Sequence, residues 1–300
     1  MNKFLTKLAN LLINFRSGSV VLLCVIFLPR PALAEMIETK LPSGITAYAE
    51  FRQGASTQIA VLSLHGFLQT NLSQPMNALA SNLAAAGYTV LSPTISLGVN
   101  RRKQSMACEA AHTHTMADEV AEVAFWVDWL SSKGYKNIVP VGFSSSGNIA
   151  LLQYNLQGSH PSIKKMILTS INPFHFNHAD YLKLQAANNS KSVAQGKKIA
   201  LYSMGYCKNN FSATPEVYQS YAKFTDDKIL ELISQVKVPL EIILGSADTI
   251  LPANWPAKIS ARSASAHVTI IDKANHFFDG TTELDLADNV ETILKTIVTH

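Results

Sequence analysis

"VGFSSSGNIA", residues 141–150, sets three serines in a row between two glycines. An apolar run ends at Gly142 and a helix-forming run follows Gly147. Such a stretch reads as a strand-to-helix turn that lifts one serine hydroxyl clear of a sheet. That geometry needs small residues two before and two after the serine, where strand and helix crowd each other. Ser144 meets the need, with Gly142 and Ser146 at those positions. Ser145 does not, because Phe143 is too bulky, and Ser146 would already lie within the helix. The competing reading is a small-residue helix start capped by serine.

Working outward, strand-like and helix-like runs alternate, as in a mostly parallel sheet flanked by helices. Strands are expected over residues 45–50, 59–64 ("IAVLSL"), 88–92, 137–142 ("NIVPVG"), 164–170, 239–245 ("PLEIILG") and 267–272. Helices are expected over 74–86, 116–130 and 145–156, after Pro256, and over 284–299. The alternation stops at Ile171. Residues 171–237 read as irregular and are rich in aromatics, among them Phe174, Tyr206, Phe211 and Tyr221. An insertion of that length between two strands reads as a lid over the sheet's edge, within one domain spanning residues 35–300. With 47% apolar and 15% charged residues, the chain can bury a large core, which excludes wholesale disorder.

"VGFSSSGNIALLQY" (141–154) resembles the nucleophile elbow of the α/β-hydrolase superfamily, Gly-x-Ser-x-Gly, with Ser146 standing where the last glycine is usual. Serine is small enough for that crowded position. "LSLHGFLQT" (62–70) resembles the superfamily's oxyanion loop. The resemblance implies that the backbone N–H groups of Phe67 and Ser145 hold the negative oxygen of a tetrahedral intermediate, with His65 a structural residue. "EIILGSADTILPANW" (241–255) resembles the acid loop and implies Asp248 as the acid. "VTIIDKANHFFDG" (268–280) resembles the catalytic-histidine loop and implies His276 as the base, with Asn275 in place of the usual glycine. The chain order Ser144, Asp248, His276 is the one this fold requires. The match covers residues 45–170 and 239–299 and leaves the insertion unmatched. It implies an α/β-hydrolase fold and hydrolysis of an ester, thioester or amide of a small acyl substrate, with no metal or organic cofactor. The rival reading is a hydrolase-like binding protein that uses the same pocket without turnover.

The start of the chain reads as an export signal over residues 1–34. Lys3, Lys7 and Arg16 give a basic front, "VVLLCVIFL" (20–28) an apolar core, and "PALAE" a cleavage point before Glu35. The core is short of the roughly 20 residues that span a bilayer; an uncleaved N-terminal membrane anchor is the alternative. Cys24 is no lipidation site, since bulky Leu23 precedes it. Residues 1–34 hold four basic residues and no acidic one, so the chain from Glu35 carries 21 basic against 21 acidic residues. The overall charge of +4 therefore belongs to the signal and does not point to nucleic acid. Two cysteines remain, Cys108 in the loop after the 88–92 strand and Cys207 in the insertion above the same edge. In an oxidising compartment they form a disulfide candidate, against two separately buried thiols. The pairs His112/His114 and His175/His178 lack clear acidic companions and read as solvated loop or helix-start residues, not zinc ligands.

Overall fold

A computed structural model describes residues 34–55, 58–189 and 198–298. Its strands, in chain order, are β1 (Ala34–Lys40), β2 (Thr46–Arg52), β3 (Ile59–Leu64), β4 (Thr89–Thr94), β5 (Asn137–Phe143), β6 (Met166–Thr169), β7 (Ala200–Met204), β8 (Cys207–Ala213), β9 (Leu240–Gly245) and β10 (Ala266–Ile271). β7 and β8 form an antiparallel ribbon of their own. The other eight make one sheet in the order β1-β2-β4-β3-β5-β6-β9-β10. β1, β2 and β4 pair antiparallel, and every pairing from β4 to β10 is parallel.

The central strands are apolar on both faces, as parallel strands covered by helices must be. Period-2 alternation decides which helices cover which face. Ile59 and Val61 of β3, Val139 and Val141 of β5, and Ile243 of β9 pack under helices α1 (Met76–Ala85) and α8 (Thr282–Val298). Ala60, Leu62 and Leu64, with Leu168, Ile242 and Leu244, face the opposite layer. That layer holds α2 (Met116–Ser132), α3 (Ser144–Leu156), α6 (Asp226–Ser234) and α7 (Trp255–Arg262). Thr115 caps α2 in a reciprocal box with Asp118, and Thr225 caps α6 by accepting from the Lys228 N–H.

Two expectations need correction. A first strand, β1, precedes the one expected at 45–50. It is an edge strand with no buried side chain, so it carries almost no hydrophobic pattern to read. The described residues between 171 and 237 are not irregular. They form α4 (His178–Asn189), the β7–β8 ribbon, α5 (Pro215–Ala222) and α6. Their aromatics form a core: Phe211, Tyr218, Tyr221 and Phe224 are buried, and Tyr202 stacks on Tyr218 at 4.2 Å. The ribbon is fastened to the loop after β4 by a Cys108–Cys207 disulfide and by two main-chain bonds, Ser212 N–H to Cys108 O at 3.0 Å and His112 N–H to Ser212 O at 2.8 Å.

The expected export signal, residues 1–34, lies outside the described residues except for Ala34. Among the described residues, no helix is long and apolar enough to cross a membrane.

Candidate active site

Parallel strands deliver their following loops to one edge of the sheet, and β5, β9 and β10 bring Ser144, Asp248 and His276 together there. Ser144 is the first residue of α3, with φ of 57°, in the left-handed region that non-glycine residues avoid. Neither Ser145 nor Ser146 has positive φ. Ser144 Oγ lies 2.9 Å from His276 Nε2, and His276 Nδ1 lies 2.7 Å from Asp248 Oδ2. The carboxylate accepts from Nδ1–H, which leaves Nε2 as the free acceptor facing the serine. The second Asp248 oxygen accepts from the Ile250 N–H at 2.8 Å. The rings of Phe143 and Phe277 flank the imidazole, and Ser170 Oγ donates to the His276 carbonyl at 2.8 Å. His276 is buried, while Ser144 is partly open to solvent.

The loop after β3, residues 65–70, lies against the same serine. Gly66 allows this: a Cβ there would stand 3.3 Å from the Ser144 Cβ and 3.1 Å from the Phe143 ring. Phe67 follows, and the Ser145 N–H lies in the first turn of α3, among the donors a helix leaves unpaired when no side chain caps it. His65 is a strut. Its Nε2 accepts from the Ile95 N–H at 3.0 Å and its Nδ1 donates to Gly66 O at 2.8 Å. Burial, and then the Arg102 guanidinium, push its pKa down to about 3. Arg102, which the sequence reading did not single out, donates to Ile95 O, Gln104 O and Gln69 O at 2.7–2.8 Å and so ties this loop to the one after β4.

The departure from the elbow motif has a physical reason. The close approach between elbow and β3 falls one residue later, at Gly147, where a Cβ would meet His65 O at 2.8 Å and Leu64 O at 3.0 Å. Ser146 is therefore more than a small substitute. Its Oγ donates to Glu119 Oε2 on α2. The other Glu119 oxygen accepts from the Tyr221 hydroxyl on α5. Burial pushes the Glu119 carboxyl up to about 7. Sequence reading missed Glu119, although a signal exists: Glu119 and Glu122 fall on the apolar stripe of α2 formed by Met116, Val120, Val123 and Trp126. Asn172, after β6, was also missed; its Oδ1 lies 3.2 Å from Ser144 Oγ, a second acceptor for the one hydroxyl proton that His276 Nε2 faces at 2.9 Å.

His112 and His114 are not solvated, as the sequence suggested, but buried. Fastening the 108–112 loop to β8 lays His112 on Phe211 at 4.3 Å and turns His114 toward Tyr221 at 5.9 Å. His175 and His178 are exposed. Among the described residues, no three His, Cys, Asp or Glu side chains gather as a metal site. Burial pushes His114 down to about 3, so its ring stays neutral in the folded chain where an unfolded histidine takes a proton near 6.5. Unfolding then takes up a proton in that window, and the stability linked to this ring is full above about pH 6.5 and falls on acidification. Glu119, raised, acts in the opposite direction, so the comparison must be with a variant. His114→Phe is expected to gain stability relative to wild type as pH is lowered from 7 to 4. Parallel melting-temperature profiles would count against a neutral buried ring.

Sheet order, crossover pattern and the three converging loops define the α/β-hydrolase fold, and this chain has it. Solved structures agree. Est1E from Butyrivibrio proteoclasticus matches with a TM-score of 0.60 at 15% identity, over 88% of this chain and 99% of that one. The Pyrococcus furiosus esterase Pf2001 matches with a TM-score of 0.56 at 17% identity, over 88% and 92%. A thioesterase domain from the curacin biosynthetic pathway matches with a TM-score of 0.58 at 12% identity, over 86% and 99%. No family model matches the sequence, and no curated protein matches it.

Proposed function

We propose that this chain is an exported serine hydrolase that cleaves carboxylic esters through Ser144, His276 and Asp248. The observation that carries the reading is the unbroken relay from Asp248 Oδ2 through the imidazole to Ser144 Oγ, ending on a serine held in left-handed backbone. His276 Nε2 takes the serine proton as Oγ bonds to the acyl carbon. The carbonyl oxygen, now negative, is held by the N–H groups of Phe67 and Ser145. Asp248 fixes the imidazole tautomer and stabilises its protonated form. His276 returns the proton to the departing alkoxide as the ester C–O bond breaks. Water, deprotonated by the same imidazole, then releases the acid and frees Ser144.

Phe67 packs against the buried rings of Phe174, Phe211 and Tyr221 and against the exposed ring of Tyr206, at 5.1–5.9 Å; the open Tyr206 ring beside Phe67 favours apolar or aromatic acyl groups. Export rests on the signal-like start and on the Cys108–Cys207 bond, which belongs in an oxidising compartment. The direct test is hydrolysis of p-nitrophenyl esters of increasing acyl length, beside matched thioesters and anilides, by protein purified from the exported fraction. Ester turnover that vanishes in Ser144→Ala is the expected result. A folded protein that binds these esters without cleaving any would favour the binding-protein reading.

A further inference from the structure

One buried group belongs to none of the steps above, yet touches the elements that perform them. Glu119 sits in the first turn of α2 with 3% of its surface exposed. Its two oxygens are used by two different layers of the protein: Ser146 of the elbow helix donates to Oε2, and Tyr221 of the insertion donates to Oε1. Each of these partners adjoins one of the two oxyanion donors. Ser146 follows Ser145 in the first turn of α3. The Tyr221 ring packs edge-on against Phe67, with centroids 5.9 Å apart, and against Phe174 at 5.3 Å.

We propose that Glu119 is a positioning residue: its carboxyl clasps the elbow helix to the insertion and so fixes the separation of the Phe67 and Ser145 donors. The clasp accounts for serine at position 146, where the family's usual glycine would have no side chain to donate to the carboxyl. It also explains why a charge-bearing side chain occupies the apolar stripe of α2. The charges around the carboxyl act in opposite directions. His114 Nε2 stands 3.8 Å from Oε1, the Arg102 cation attracts it, and Glu122 on the same helix repels it. Glu122 is itself occupied by the Ser96 N–H at 2.8 Å and the Trp126 indole N–H at 3.4 Å.

The inference rests on the serine-hydrolase reading and has its own test. Ser146→Ala and Tyr221→Phe each remove one hydroxyl and leave Glu119 in place, which avoids the folding failure that Glu119→Ala invites. Active centres are first counted by titration with a fluorophosphonate, and kcat and KM for a p-nitrophenyl ester are then measured per centre in both variants and their combination. Each single change is expected to lower kcat about tenfold, with KM within about twofold, because a misplaced donor affects the transition state and not ground-state binding. The double variant is expected to match either single one, since both open the same clasp. Losses that multiply in the double variant, an effect on KM alone, or an unchanged kcat would each overturn the proposal. Wild type that neither titrates nor turns over would instead refute the hydrolase reading, and the proposal with it.

Discussion

Ser144→Ala and His276→Ala are each expected to lower ester turnover by on the order of 10⁴- to 10⁶-fold, and the double variant by no more than either alone. The size follows from what each side chain does. Without the hydroxyl no acyl-enzyme can form. Without the imidazole 2.9 Å away, the hydroxyl keeps its proton and is a poor nucleophile at neutral pH. The lack of additivity follows from the relay: removing either end leaves the other with nothing to act on. A residue that only packed the site would give losses that multiply. Asp248→Asn should keep the fold, because Ile250 N–H and His276 can still be accommodated, but it places an amide N–H where the imidazole needs an acceptor. Steady-state kcat on a p-nitrophenyl ester separates these outcomes. A His276→Ala variant within tenfold of wild type would remove the histidine from the chemistry.

Converting Cys108 and Cys207 together to serine is expected to have the largest effect on stability. The bond joins residues separated by 99 positions. Closing a loop of that length in the unfolded chain is worth up to about 4 to 5 kcal/mol in the chain-entropy model, before native strain is subtracted. For a domain of this size the loss corresponds to a fall in melting temperature of up to roughly 10 °C. The chemical step should change little. The ribbon keeps its two main-chain bonds to the 108–112 loop, and the turn at Gly205 and Tyr206 still packs on Phe67. Thermal melts of wild type under reducing and non-reducing conditions, beside the double variant, decide the matter. Equal melting temperatures would show that the bond does not hold the insertion down.

The sheet was legible because its strands are short, apolar runs separated by recognisable helices, and because loops after parallel strands must meet at one edge. Ser144, Asp248 and His276 could be placed from three such loops, each carrying its own local signature. What escaped the sequence had no local signature. β1 lies at an edge with no buried side chain, so the apolar run that betrays Ile59–Leu64 is absent there. The insertion's helices and ribbon bury their aromatics against one another and against Phe67, contacts that span more than 130 positions of sequence. The burial of His112 and His114 depends on a ribbon 100 residues further along the chain. Glu119 reads locally as an ordinary acidic residue in the first turn of a helix, a favourable place for one. Only the packing of α2 against α3 and α5 turns it into a shared acceptor.

The central claim is that Ser144, among three adjacent serines, is the nucleophile. Treating the full-length protein with a fluorophosphonate and localising the adduct by fragment-ion mass spectrometry tests it most directly. The account predicts a single modification on Ser144, absent in Ser144→Ala. An adduct on Ser145 or Ser146, or a folded protein that takes up no label, would contradict it.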